Sequence, residues 1–396
     1  MKKRILSASA CCLLAASLFA GCIYFNSITY MQEISTENPK TVAAFDDFLN
    51  DIFVAEVTEN TINLHFTLSN PEDYGITDYP ISLGNISETA AADSNARLEN
   101  YLAGLDAFDY TELTLNQQLT LDILKSYMKL QLDMSDLYLY DEPLRPSTGI
   151  QSQLPILYEE YKFNNEQDVK DYLALIALTG DYFDQVIAFE QQKADAGLFM
   201  ADYSCNTIID QCNSFIADEE NHYLKETFNN KIDKLDTLSL AKRDSYKLKN
   251  EQMVSEYIIP AYKNLAATLK TLAGSGSNEN GLCYFPEGKT YYEYLLAYNT
   301  GSSKTVKELE TMISNERVRV LQESSDLTTE NPELWDLTSE ASLIPTDPTT
   351  TLNHLKKAML ADFPAPPDTN FTVSYIDDCV ADYLAPAYYV VTPIDD

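Results

Sequence analysis

Between Ser239 and Gly274 the apolar residues Val254, Ile258, Ala261, Leu265, Leu269 and Leu272 recur at intervals of three and four. That spacing puts them on one face of a helix. It predicts one long helix over about 240–273, capped by Ser239, whose hydroxyl can take an unpaired backbone N–H. Gly274 would stop it, since glycine accepts the left-handed backbone that ends a helix. A helix with so long an apolar stripe must bury that stripe against other helices, which holds the chain to a packed helical body. Pro260 lies inside the run. It has no N–H and its ring crowds the preceding turn, so a kink is expected there.

Other segments follow the same period. "VAAFDDFLNDIF" is a short amphipathic start, and "RLENYLAGLDAF" carries Leu98, Leu102 and Leu105 at helical spacing. Thr114-x-x-Gln117 reads as a capping box opening a helix through Leu121, Leu124 and Met128. "DVKDYLALIALTGDYFDQVIAFEQQKADAG" is one long helix or two, ending near Gly197, and "GSGSNENG" is a loop. Thr305-x-x-Glu308 is a second capping box, leading a helix with Val306, Leu309, Ile313 and Val320 on one face. "FTVSYIDDCV" alternates like a strand. The fold class is therefore mainly α, a multi-helix globular body with a little β near the C-terminus.

The first residues, "MKKRILSASACCLLAASLFAGC", give a basic start, an apolar run shorter than a bilayer span, and small residues before Cys22. This is a secretory signal over 1–21, and Ala20-Gly21-Cys22 resembles a bacterial lipobox. The expectation is an extracytoplasmic protein anchored to the cell membrane by a lipidated Cys22, with 22–40 as a polar tether and 41–396 as the helical domain. Removing 1–21 takes away three of the 27 Lys and Arg and none of the 61 Asp and Glu, leaving a net charge of −37. Such a surface repels nucleic acid, which is excluded as a partner. Cys11 and Cys12 leave with the signal. Cys205 and Cys212 stand two helical turns apart, about 10 Å along the axis and beyond disulfide reach. With Cys283 and Cys379 they read as buried free thiols.

Chemistry is hard to place. The histidines are His65, His222 and His354. Only Glu219-x-x-His222 has the spacing of a paired metal motif on a helix, and carboxylate-bridged sites need that motif twice. A second copy is absent, so this pair reads as a solvated helix end. The sequence contains no H-E-x-x-H, G-x-S-x-G, Walker loop or G-x-G-x-x-G. His222 could serve Cys205 or Cys212 as a base only through nearness in sequence. Asp377-Asp378 and Asp395-Asp396 could bind a cation, but carboxylate pairs are common in so acidic a chain. Tyr291, Tyr294 and Tyr298 share one helical face, more a packing stripe than a sugar platform. No residue is assigned as catalytic or as a metal ligand.

"RPSTGIQSQLP", "KADAGLFM", "TYYEYLLAYNTGSSKTVKELE" and "DFPAPPDTNFTVSYIDDCVADYLAPAYYVVTPIDD" occur in that order. The order resembles the domain of unknown function 885 family, helical bacterial proteins, often lipoproteins, similar to zinc metallopeptidases of the H-E-x-x-H clan. The resemblance covers about 41–396. It implies that the segment from Ala387 to Asp396, with Tyr388 and Tyr389 as substrate-side candidates, precedes a strand and a helix bearing His-Glu-x-x-Pro-Gly-His. This chain stops before that motif, so zinc is expected only with a C-terminal half and no cofactor within this chain. Three readings stay open: the substrate-side part of a metallopeptidase-like protein, truncated before its zinc motif and inactive alone; a self-standing lipoprotein that holds peptides; and an unrelated helical solute- or glycan-binding lipoprotein. The first expects Phe371, Val373, Tyr375, Tyr388, Tyr389 and Val390 to lack a packing partner.

Overall fold

A computed structural model of the chain describes residues 37–276, 278–334, 347–365, 371–375, 389 and 391–395. The signal, Cys22, most of the tether, Asp377, Asp378, Cys379, Tyr388, Val390 and Asp396 lie outside the described residues. Contacts divide the chain into two compact units, one from Met1–Asn299 with Asp377–Asp396 and the other Thr300–Ile376.

In the first unit the helices are α1 (Pro39–Val57), α2 (Thr61–Thr67), α3 (Glu88–Asp106), α4 (Leu115–Asp133), α5 (Ile150–Glu160), α6 (Glu166–Asp195), α7 (Asp202–Phe215), α8 (Tyr223–Ile232), α9 (Leu240–Met253), α10 (Ile259–Leu272) and α11 (Gly288–Thr300). The long segment before Gly197 is one helix, α6. Asn165 caps it, accepting from the N–H groups of Gln167 and Asp168, and Asp168 reaches back to the Asn165 N–H.

The stripe that begins at Ser239 forms as expected, with one refinement. Ser239 Oγ accepts from the Lys242 N–H, and Gly274 turns left-handed at φ 84°. Between α9 and α10, Val254–Ile258 is a single π turn, in which the Ile259 N–H reaches back to the Val254 carbonyl. The extra residue accommodates Pro260, which cannot donate to the usual carbonyl four residues back. Val254, Ile258, Ala261, Leu265 and Leu269 are all buried. They pack α10 against α6 and α7 in the main core, where each large apolar side chain is worth about 1.5–3 kcal/mol of burial. Lys231, on α8, is sunk into this body. Its ammonium donates to the carbonyls of Tyr158, Glu159 and Tyr161 at 2.8, 3.0 and 3.1 Å, closing the end of α5. Burial pushes its pKa down to about 7, against the charges of Glu159 and Glu160.

A second core lies between α1, α3 and α4, built from Phe45, Ile52, Leu105, Leu121 and Met128. The Thr114–Gln117 capping box is present, and the Gln117 amide also donates to Val42 O and Asp46 Oδ1, tying α4 to α1. Near the end of the chain the Ile394 N–H donates to the Thr67 carbonyl. The Asp395 carboxylate takes the N–H groups of Ser69 and Asn70 at 2.6 and 2.8 Å. Asp395 is thus engaged by backbone rather than open to a cation.

The second unit contains α12 (Val306–Glu330) and α13 (Pro348–Ala358). The capping box of Thr305 and Glu308 is present, yet no side chain of α12 is buried. The expected strand at "FTVSYIDDCV" is not seen in its described part. Residues 371–375 join no strand, and alternation alone makes a ladder only where another strand pairs with it. Phe371 and Tyr375 are exposed there, and so is Tyr389 in the first unit.

Candidate functional site

The chain leaves the short 3-10 turn Ser135–Tyr140 and enters α5 through Asp141-Glu142-Pro143-Leu144-Arg145-Pro146-Ser147-Thr148-Gly149. Two prolines deny this loop a helix. Its shape is fixed from within: the Gly149 N–H donates to Arg145 O and the Ile150 N–H to Pro143 O. A side chain at position 149 would overlap the Arg145 backbone, so glycine is required. From below, the buried amide of Gln151 donates to Arg145 O at 2.7 Å and to Gln211 Oε1 at 2.8 Å, and Gln211 donates to Pro146 O. On the outer side Arg145 pairs with Asp141 and Glu142 at 3.6 and 3.5 Å. These half-exposed pairs position the loop more than they stabilise it.

Two charged residues of α6 lie under the loop. The buried Lys193 ammonium donates to the Asp141 carbonyl at 2.7 Å and lies over the Phe189 ring, 5.9 Å from its centre. One turn earlier, Glu190 is 0% exposed, and neither carboxyl oxygen has a hydrogen-bond partner among the described residues. Burial pushes the Glu190 pKa up to about 7; Lys193 opposes this, while Glu142 and Asp141 add to it. On α7 the buried Cys205 thiol donates to the Leu269 carbonyl at 3.5 Å; burial, then the charges of Asp202 and Glu190, pushes it up to about 11.

An aromatic ladder continues from the loop. The Tyr140 hydroxyl accepts from the Glu287 N–H at 2.9 Å, and its ring meets Phe285 at 6.4 Å and Tyr291 at 5.4 Å. Along α11, Tyr291, Tyr294 and Tyr298 follow at 5.6 and 5.7 Å, and Tyr298 meets Tyr127 of α4 with hydroxyls 3.2 Å apart. Burial, then the Asp141 charge, pushes the Tyr291 hydroxyl up. Each ring pair contributes about 0.5–1.5 kcal/mol. The stripe read from the sequence is therefore a packed ladder whose outer rings are half-buried, next to a loop carrying charges of both signs. Among the described residues this surface presents no paired nucleophile and base.

The other residues singled out from sequence do not come together. His222 is 2% exposed and is the N-cap of α8, its Nδ1 accepting from the Leu224 N–H, while Glu219 is exposed and pairs with Lys263. The pair is a helix end, as expected, but His222 is buried rather than solvated. His65 stacks on Tyr161 at 3.7 Å and accepts from the Lys162 N–H; burial, then Lys231 and Lys162, lowers its pKa to about 4. His354 is exposed on α13. Cys205 and Cys212 are buried free thiols, whereas Cys283, in the 3-10 turn Leu282–Tyr284, is free but exposed rather than buried. Among the described residues no group of three His, Cys, Asp or Glu is placed to hold a metal. No described helix is long and apolar enough to cross a membrane.

Glu190 and Lys193 went unnoticed in the sequence, although a signal was there. Tyr172, Ile176, Thr179, Phe183 and Val186 form the buried stripe of α6, and continuing its period lands on Glu190 and Lys193. Charged residues at core positions of a helix are rare unless something holds them.

Residues 72–394 match a family described as bacterial protein of unknown function, DUF885. A crystal structure of a protein from Colwellia psychrerythraea, named as a lipoprotein, shares this fold with a TM-score of 0.65 and 15% sequence identity, over 81% of this chain. The chain spans 57% of that protein's length. None of the curated proteins matches it.

Proposed function

This chain belongs to the DUF885 family of bacterial proteins, and on that footing we propose that it is an extracytoplasmic lipoprotein whose helical body is the substrate-side half of a metallopeptidase-like protein and holds peptides. The family match over residues 72–394 supports the family footing of this reading. The lipoprotein part is supported by the Colwellia protein of the same fold, which is named as a lipoprotein. The basic start and Ala20-Gly21-Cys22 support an anchor at Cys22. The loop at Asp141–Arg145, with the tyrosine ladder beside it, is the surface offered to a peptide. Zinc-activated water would come from residues outside this chain.

The test uses the full chain, processed in a bacterial host, and a library of unstructured peptides labelled for anisotropy. Peptide binding without chelator-sensitive cleavage is expected, and it should weaken about tenfold or more in Tyr294→Ala. Chelator-sensitive cleavage that copurifies with the chain would overturn the half-protein reading. Binding of a small solute in place of peptides would move the assignment to a self-standing solute-binding lipoprotein. Cys22→Ser should shift the protein out of the detergent phase; unchanged partitioning would refute the anchor.

A further inference from the structure

We propose that Glu190 is a proton-operated latch on the loop from Asp141 to Gly149: protonated, it leaves the Lys193 ammonium on the Asp141 carbonyl, and ionised, it draws that ammonium back along α6 and releases the loop. The geometry is specific. Glu190 and Lys193 stand three residues apart on one buried face of α6. The Lys193 ammonium has one hydrogen-bond acceptor, the Asp141 carbonyl, and Glu190 has none among the described residues. A carboxylate so placed competes directly for the ammonium, and a charged acceptor outcompetes a neutral carbonyl.

The surrounding charges set the direction. The loop contributes Asp141, Glu142 and Arg145, α6 contributes Glu190 and Lys193, α7 presents Cys205 with its thiol protonated, and α11 presents Tyr291 with its hydroxyl protonated. Two carboxylates then face two cations, and the cluster is neutral only while Glu190 holds its proton. Ionisation adds one buried, unbalanced negative charge, which the interior does not tolerate unless an ammonium moves to it. With Glu190 poised near neutrality, burial being the main cause, the latch works across the pH range of an extracytoplasmic space. Release would reach the aromatic ladder, since Tyr140 precedes Asp141 and packs on Tyr291 and Phe285.

Hydrogen exchange of the full chain, without ligand, tests this and does not depend on peptide binding. The amides of Gly149 and Ile150 report the loop, through their bonds to Arg145 and Pro143. After correction for intrinsic rates, their protection should fall about tenfold or more between about pH 5.5 and about pH 8.5. Glu190→Gln should stay protected at both values, and Lys193→Met should be unprotected at both. A wild type indifferent to pH, or a Glu190→Gln protein that loses protection as the wild type does, overturns the latch. Should Glu190→Gln fail to fold, infrared spectra of the wild type decide: a buried protonated carboxyl band must vanish as the loop loses protection. A band that persists above neutral pH, or vanishes without loop release, is the contrary result.

Discussion

Asn165 opens α6 and Thr305 opens α12 with the same device. Each side chain accepts the N–H three residues on, and Asp168 or Glu308 answers from the third helical position. The helices run 30 and 25 residues, and each carries apolar residues at helical spacing. On α6 that stripe is buried, with Phe183 against Tyr262 at 4.8 Å. On α12 the stripe faces outward: Ile313 is 67% exposed, and Val320 and Leu327 are exposed with it. Caps fix where a helix starts through a few local bonds. Whether its face is covered depends on residues far along the chain, and no local pattern encodes that.

The largest test of this contrast is truncation on each face. Phe183→Ala should destabilise the protein by about 3–5 kcal/mol, from lost transfer energy and the cavity left behind. Ile313→Ala should stay within about 0.5 kcal/mol. Urea unfolding of both variants checks this, and equal losses would erase the distinction between the two faces.

Titration should divide the helices in the same way. On α12, the exposed Glu308 and Glu316 are held low by hydrogen bonds, Glu308 from Thr305 and Glu316 from Arg319. On α6, Glu190 is held high, so its stabilisation is full below the unfolded value of 4.5 and is lost as pH rises to about 7, about 3 kcal/mol in all. His65 runs the other way: lowered from 6.5 to about 4, it favours the fold above 6.5 and loses that contribution as pH falls toward 4, again by about 3 kcal/mol. Between about pH 4.5 and 6.5 the two slopes oppose each other. Glu190→Gln should therefore expose a stability that rises with pH, and His65→Gln one that falls. Denaturant midpoints across that window read both slopes, and a flat profile in either variant would discard the corresponding burial effect.

The smallest effect is at the caps. Thr305→Ala and Asn165→Ala should each cost about 1 kcal/mol. Hydrogen exchange should show fraying at the start of α12, while in α6 the buried face should keep the first turns protected and pass the loss to global unfolding. Local fraying of equal extent in both helices would mean that burial adds nothing to the start of α6.

Legibility in the sequence followed the range of the interaction. The caps at Thr114, Ser239 and Thr305, the stop at Gly274 and the disturbance at Pro260 are decided within four or five residues, and the structure places them as read. The strand expected at 371–375 needed a pairing partner that no local signal supplies. The candidate site was read in fragments, as a tyrosine stripe and a "RPSTG" piece. Neither fragment reveals that Tyr140 joins them or that Lys193, fifty-two positions beyond Asp141, holds the loop. His222 reads as a solvated helix end because Glu219-x-x-His222 has no second copy in the sequence. Its burial comes from Phe215 and Tyr223 packing on the ring, a tertiary event.

The bonds from Asp395 to Ser69 and Asn70 span 326 and 325 positions of the chain. A polypeptide is made at about 5–20 residues per second, so the Ser69 and Asn70 amides emerge on the order of 15–65 seconds before the carboxylate that will cap them. The backbone between α2 and the turn at Pro71 must wait in solvent or be held by a chaperone. Closing so long a loop is a step of high contact order, slow beside the helix formation that precedes it. The backbone at Ser69 and Asn70 and the segment at Asp395 therefore reach this contact together, whatever forms before it.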